Sequence, residues 1–390
     1  MALQPAAGAR DLNPREVERQ RRLREQLAEV YRRWGYQEVA PPTVERLDTL
    51  KAGGAIADRE VVRLVADDPL GLRPELTASI ARAASTRMAH RPRPLRLWAS
   101  GTTFRSFTGD GGDLRISETL QSGVELLGEA SEAAEMELLH LLLAAIASLG
   151  LGEGQETTLL LGHHGLLGAL LEVVPADVRP LARERLTSFD ALGVDALPLP
   201  QTALARLRTL MRLRGSPGQV LYQLEQWLGP LPLLGRLDAL LRSVEPLAGR
   251  VGVRLQLDPT FQPHFDLYDG LVFKVVCQGR EAPVAIASGG RYDRLVARFC
   301  ATGEAAAGTG FAFSIDALHD LLATDGSSQS EGGPWLVAGT AGQLPAVLDR
   351  LAELHRQGEV AELCGQACAT EAEARTRAAE RGCRGAIWLG

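Results

Sequence analysis

The sequence predicts an α+β fold in two parts: a sheet flanked by helices and interrupted by a helical insertion, then a small α/β unit. Three observations predict it. Short strand-like runs bounded by Gly, Pro and Asp recur through residues 36–127 and again from Val253. From about 157 to 250 the chain is Leu-, Ala- and Arg-rich with scattered Pro and Gly, the texture of a mainly helical insertion. After the stretch DGSSQSEGG at 325–333, a linker by composition, strand and helix alternate to Leu389. The expected boundaries are residues 1–324, the linker 325–333, and 334–390.

Bulk composition narrows the class. The 390 residues allow two or three domains, each with its own core. Hydrophobic content of 45% and charged content of 23% are those of a globular chain. A formal net charge of −6 leaves no global basic field for nucleic acid. Of the 42 basic residues only Lys51 and Lys274 are lysine, a bias attributed to a GC-rich genome rather than to function. No Gly-Lys-Ser/Thr occurs, which excludes a P-loop. The N-terminus lacks a basic-then-apolar signal pattern and no apolar run is long enough to span a membrane, so the expectation is cytoplasmic with no membrane partner. The five cysteines are too few for a disulfide framework. Cys364, Cys368 and Cys383 lie near one another without a histidine, so they read as free thiols and no metal is expected.

Taken in order, Asn13-Pro14-Arg15-Glu16 is a helix start: Asn13 caps, Pro14 suits the first position, and Glu16 completes a capping box. Leu23, Leu27, Val30 and Trp34 recur at helical spacing until Gly35. The arginines opposite read as a solvated face, with an RNA-facing helix as the alternative. Tyr36–Val39 reads as a strand closed by Pro41-Pro42. Val61–Val65 and Leu70–Leu72 read as a hairpin around Asp67-Asp68-Pro69. Arg73-Pro74-Glu75-Leu76-Thr77 leads into a helix through Ala84, and Leu95–Ala99 is a strand. In the run from Leu120 to Gly128, Gln121, Gly123 and Glu125 share one strand face. Two polar side chains on one face suit a ligand, and the same alternation suits a solvent-exposed face. Ser131 is placed as the cap of a long apolar helix to about Leu149. His163-His164 is not a metal pair, since neighbours on a strand point apart. Val253–Leu257 and Leu271–Val276 read as an antiparallel pair.

The stretch Ala285–Leu318 holds the densest signals. Ser288-Gly289-Gly290 is expected to turn with φ > 0, and Gly308-Thr309-Gly310 leads into a strand Phe311–Ile315. Two glycine-edged strands facing one space suggest a pocket floor, and they equally suit two ordinary hairpin corners.

Six stretches in this order resemble the catalytic domain of histidyl-tRNA synthetase: Leu72-Arg73-Pro74-Glu75 with Thr77, Thr103-Phe104-Arg105, Gln121–Gly128, Phe265–Phe273, Ser288–Val296 with its Gly-Gly-Arg-Tyr-Asp, and Gly310–Leu318. The resemblance covers roughly residues 8–322, and Pro42 with Glu45 matches the family's dimer-interface motif. It implies a class II aminoacyl-tRNA synthetase-like antiparallel sheet, with a truncated anticodon-binding-like domain after Trp335. It also implies a site for free histidine. Glu75 and Thr77 would take the α-amino group, Gln121 and Glu125 would approach from the strand face, and Tyr268 and Tyr292 would line the imidazole end. Gly289 and Gly290 would let the ligand come close; the family's carboxylate arginine is missing at Pro263-His264, which leaves Arg105 as the candidate partner for the carboxylate.

Departures from that pattern point away from adenylation. Asp316-Ala317 stands where the family has Glu-Arg, whose arginine holds ATP phosphate. Pro263-His264 replaces the Arg-Gly before Phe265-Asp266-Leu267-Tyr268, and Ser106-Phe107 follows Arg105 without the family's glutamate. The Thr108–Asp113 loop lacks a basic, tRNA-facing character. Phosphoryl transfer without these charges loses its electrostatic stabilisation. The chain therefore resembles the non-catalytic branch of the family, the regulatory subunits of ATP phosphoribosyltransferase. That resemblance implies no cofactor, no tRNA, a short-form catalytic subunit as partner in a hetero-octamer, self-association as a dimer, and histidine as feedback effector. An active histidyl-tRNA synthetase and a scaffold with a non-binding pocket are the alternatives.

Overall fold

Asn13 starts helix α1 (Pro14–Arg33) through a reciprocal capping box. Its side chain accepts the Arg15 and Glu16 amides at 3.0 Å each, and the Glu16 carboxylate accepts the Asn13 amide at 2.7 Å. The structure, a computed structural model, describes residues 5–52, 56–109, 111–263, 267–300, 306–322 and 333–390. Residues 325–332 of the expected linker, Asp110 of the expected loop, and His264, Phe265 and Asp266 of the expected motif lie outside the described residues.

Strands β1 (Gln37–Glu38) and β2 (Val44–Arg46) precede helix α2 (Leu47–Ala52), and β3 (Leu70–Leu72) precedes α3 (Thr77–Ser85). A long hairpin of β4 (Leu95–Thr108) and β5 (Leu114–Leu127) leads to α4 (Glu132–Ser148) and β6 (Thr158–His163). Helices α5 (His164–Leu171), α6 (Arg179–Thr187), α7 (Ala191–Asp195), α8 (Gln201–Leu210), α9 (Pro217–Leu228) and α10 (Pro232–Arg250) follow. The chain returns through β7 (Arg254–Leu257), β8 (Leu271–Gln278), β9 (Pro283–Arg291), α11 (Asp293–Ala297), β10 (Gly308–Ser314) and α12 (Ile315–Leu322).

Among the described residues the main sheet has the order β1-β4-β5-β10-β9-β8-β6-β7. Its interior pairs are antiparallel; β1 on β4 and β7 on β6 are parallel. Four expectations change here. The strands at 254–257 and 271–278 do not pair with each other, because β6 lies between them. That strand falls inside the range expected to be helical, so the helical stretch begins at His164 rather than at about 157. Val61–Val65 forms no strand; it touches β3 through an isolated bridge at Arg63, and β3 pairs instead with β2. Ser131 precedes α4 but makes no side-chain cap bond.

The register sorts the sheet into two faces. Phe273, Gly289, Phe311, Val124 and Trp98 are cross-strand neighbours in one row. All but the glycine belong to the larger core with residues of α1, α4 and α12. The opposite face carries a second core built from α3, α11, Leu97, Leu127 and Tyr292. Between the cores, Arg73 stitches the prolines to β4. It is 6% exposed, and donates to Pro41 O at 2.6 Å and Thr102 O at 2.9 Å.

The compact units are 1–322 and 323–390. In the second, β11 (Trp335–Gly339), α13 (Leu344–Arg356), β12 (Ala361–Leu363), α14 (Glu371–Glu380) and β13 (Gly385–Leu389) alternate as the sequence suggests. The order β12-β11-β13 is wholly parallel, with the apolar faces of α13 and α14 against it. Cys364 and Cys368 are free thiols with their sulfurs 3.8 Å apart.

Candidate ligand site

The α3–α11 face of the sheet holds a cavity of about 320 Å³, an ordinary size for a small-molecule site. Local sequence explains its floor. Gly123, Ala312 and Ser288 follow one another across β5, β10 and β9, and such small side chains leave a trough above the backbone. The walls rise from the neighbouring rows and from the start of α3.

Glu75, Thr77, Arg105, Gln121, Tyr268 and Tyr292 line this cavity. Glu75 lies just before α3, and its carboxylate turns back onto the first amides of that helix. Thr77 N–H donates to it at 3.1 Å and Ala78 N–H at 3.0 Å. Burial raises the Glu75 pKa; the amides, the Thr77 hydroxyl and the Arg105 charge oppose that shift. Arg105, on β4, also donates to Pro74 O at 3.5 Å. Gln121 stands on β5 between Gly101 and Ser314, on the face of the trough.

Glu125 is not on the cavity wall. It is 4% exposed, and it accepts hydrogen bonds from the Tyr292 hydroxyl and the Thr77 side chain, both of which are on the wall. Its carboxylate overlies Gly310, where any Cβ would collide with Oε2. Burial pushes its pKa up to about 8, the tyrosine and threonine hydrogen bonds pull it down, and the Glu75 charge adds to the rise. Glu125 is therefore mostly protonated at neutral pH. The same burial, with the nearby carboxylates, pushes both tyrosine pKa values up, so these phenols stay neutral donors.

The glycine pair needs correction. Gly289 and Gly290 lie inside β9, not in a turn, and neither takes positive φ. Gly289 faces the larger core: an added Cβ would stand 2.7 Å from Phe273 Cζ and 2.6 Å from Phe311 Cβ. Gly290 faces the cavity side, where a Cβ would sit 2.7 Å from Tyr268 Cδ1. It makes room for a tyrosine ring, and neither glycine is a lining residue.

Two further placements bear on chemistry. Asp316 accepts the Leu120 amide at 2.7 Å and the Gln20 side chain at 2.8 Å, tying α1, β5 and α12 together. Ala317 packs against the larger core, and neither residue lines the cavity. His163 is the N-cap of α5, accepting the Gly165 amide at 3.0 Å.

Lys274 of β8 also lines the cavity, and the motif reading did not find it. Its signal was its rarity: it is one of two lysines beside many arginines.

Comparison with known proteins gives a consistent picture. A family model described as histidyl-tRNA synthetase matches residues 8–318. An ATP phosphoribosyltransferase regulatory subunit of Prochlorococcus marinus (strain MIT 9303) is 52% identical over 390 residues, covering 100% of both chains. Another of that name, from Synechococcus sp. (strain CC9902), is 52% identical over 98% of each chain. Among solved structures, an ATP phosphoribosyltransferase regulatory subunit/histidyl-tRNA synthetase from Bacillus halodurans superposes with a TM-score of 0.83 at 25% identity, covering 100% of this chain and 98% of that one. The histidyl-tRNA synthetase of Nostoc sp. PCC 7120 shares the fold, with a TM-score of 0.79 at 17% identity over 100% of this chain and 92% of its own.

Proposed function

The chain belongs to the ATP phosphoribosyltransferase regulatory subunits, within the histidyl-tRNA synthetase family, and on that premise we propose that its cavity binds free histidine as the feedback signal of the complex. Membership makes the chain a non-catalytic subunit whose partner is a catalytic ATP phosphoribosyltransferase. The finer reading is a short-form catalytic partner, a hetero-octamer containing dimers of this chain, and a cytoplasmic assembly that binds no tRNA. Among the described residues no helix is long and apolar enough to cross a membrane.

The observation that carries the histidine reading is the wall itself. Glu75 offers a carboxylate to a cationic amino group, with Gln121 and Thr77 beside it. Tyr268 borders an imidazole with a neutral donor, and Tyr292, whose hydroxyl donates to Glu125, offers the ligand its oxygen as an acceptor. The argument against adenylation is equally local. A methyl group at Ala317, packed into the core, cannot hold a triphosphate, and Asp316 is occupied in joining three elements. A fold that keeps the amino-acid subsite without the phosphate subsite suits sensing. Histidine bound here would bias a subunit arrangement, with a coupling of about 1–3 kcal/mol that must be reciprocal.

Titration calorimetry of the chain and of its complex with the catalytic subunit tests this reading. Saturable L-histidine binding is expected, with an affinity that shifts when the catalytic subunit's substrates are present. Absence of binding in both preparations overturns the sensing role and leaves the scaffold. Histidine-dependent ATP–pyrophosphate exchange by the chain alone would establish a synthetase instead.

A further inference from the structure

The charges on the cavity wall do not balance. Among the described residues its charged side chains are Glu75, Arg105 and Lys274. Arg105 is the electrostatic partner of Glu75. Lys274 has no carboxylate within ion-pair distance among the described residues; its ammonium lies 5.8 Å from the centre of the Phe261 ring. An ammonium facing a cavity on one side and an aromatic face on the other is held in place while keeping its donors available.

The register places this charge at the end of the trough. Lys274 on β8 is opposite Ser288 on β9, which is opposite Ala312 on β10, which is opposite Gly123 on β5. Three strand spacings make that row roughly 14 Å from backbone to backbone, and lysine shortens it by leaning inward. Gln121 and Glu125 flank Gly123 at the far end. A small molecule lying in the trough thus meets the Gln121 amide at one end and a positive charge at the other.

We propose that Lys274 anchors the carboxylate of the amino acid bound in this cavity, and so decides between amino acids and the corresponding amines. The proposal rests on the histidine reading above and assigns one subsite within it. Phe261 sets the direction of the ammonium, and Ser288 supplies a hydroxyl beside it on the neighbouring strand.

The test compares two probes on the full-length chain by titration calorimetry: L-histidine, and histamine, which keeps the amine and the imidazole and lacks the carboxylate. The wild-type chain is expected to bind L-histidine about 10- to 100-fold more tightly, the range of one charge-assisted hydrogen bond. Lys274→Met should weaken L-histidine by that factor and leave histamine binding unchanged; the histamine arm also shows that the site is folded. Lys274→Arg should restore most of the preference. Equal binding of the two probes by the wild-type chain overturns the proposal without any variant, as does a preference that survives Lys274→Met. Micromolar binding of inorganic phosphate that Lys274→Met abolishes would assign the subsite to a phosphate ligand and overturn the carboxylate. No L-histidine binding by the wild-type chain overturns the histidine reading and this proposal together, whereas binding insensitive to Lys274 overturns this proposal alone.

Discussion

Glu125→Gln should make the protein more stable than wild type as the pH rises, and the size of the effect follows from where Glu125 sits. The carboxyl is buried, takes the Tyr292 and Thr77 hydrogen bonds, and has its pKa pushed up to about 8. In the unfolded chain it titrates near about 4.3. The folded state therefore holds a proton that the unfolded state loses first. That stability is fully present below about pH 4 and is lost as the pH climbs through 8. Two titrations at these values predict that the wild-type chain loses about 3.5 kcal/mol from this group between pH 5 and pH 8, or about 1.2 kcal/mol per unit. A glutamine keeps the neutral shape, accepts the Tyr292 hydroxyl and donates to Thr77, yet does not titrate. Urea unfolding of both proteins at half-unit steps from pH 5 to 8 measures the difference, in which all other titrations cancel. The gap between variant and wild type should widen steadily in favour of glutamine. A gap constant within about 0.5 kcal/mol would show that Glu125 is ionised in the folded protein, and would refute the burial argument.

Other substitutions separate structure from binding. Asp316→Ala leaves the Leu120 amide and the Gln20 side chain without their acceptor and should cost about 2–3 kcal/mol in urea unfolding. Gly289→Ala forces a methyl between Phe273 and Phe311 and should cost about 1–3 kcal/mol, read as a lowered urea midpoint. Gly290→Ala, one residue on, presses on the Leu271 carbonyl and the Tyr268 ring, so L-histidine affinity measured by calorimetry should fall along with the urea midpoint. Glu75→Ala removes the one wall carboxylate among the described residues and should raise the histidine concentration for half inhibition of the complex at least about tenfold, read in an activity assay.

Much of the fold was legible because local rules and tertiary structure agree. The Asn13-Glu16 capping box and the alternation of Gln121, Gly123 and Glu125 both survive into the structure. So does the strand–helix alternation of the second unit. What failed depends on partners far away in sequence. Thr158–His163 is a short apolar run next to a helical region; only β8 and β7, about a hundred residues later, make it a strand. Ser288-Gly289-Gly290 has turn composition, yet the glycines serve two different faces of one strand, and the aromatic neighbours that demand them lie on β8 and β10 and in the segment before β8. At the site, residue types identified the acidic and aromatic members. They could not show that Glu125 lies behind Tyr292, since that depth is set by packing against α11. The scarcity of lysine reads as codon bias and nothing in the neighbours of Lys274 marks it; its place beside Ser288 is a matter of register.

The most direct test of the account is the phosphoribosyltransferase rate of the catalytic subunit mixed with this chain, followed as L-histidine is added. The account predicts activity that depends on the chain and falls with histidine along a saturation curve matching the calorimetric affinity. A rate that L-histidine leaves unchanged, at concentrations that saturate the cavity, would contradict it.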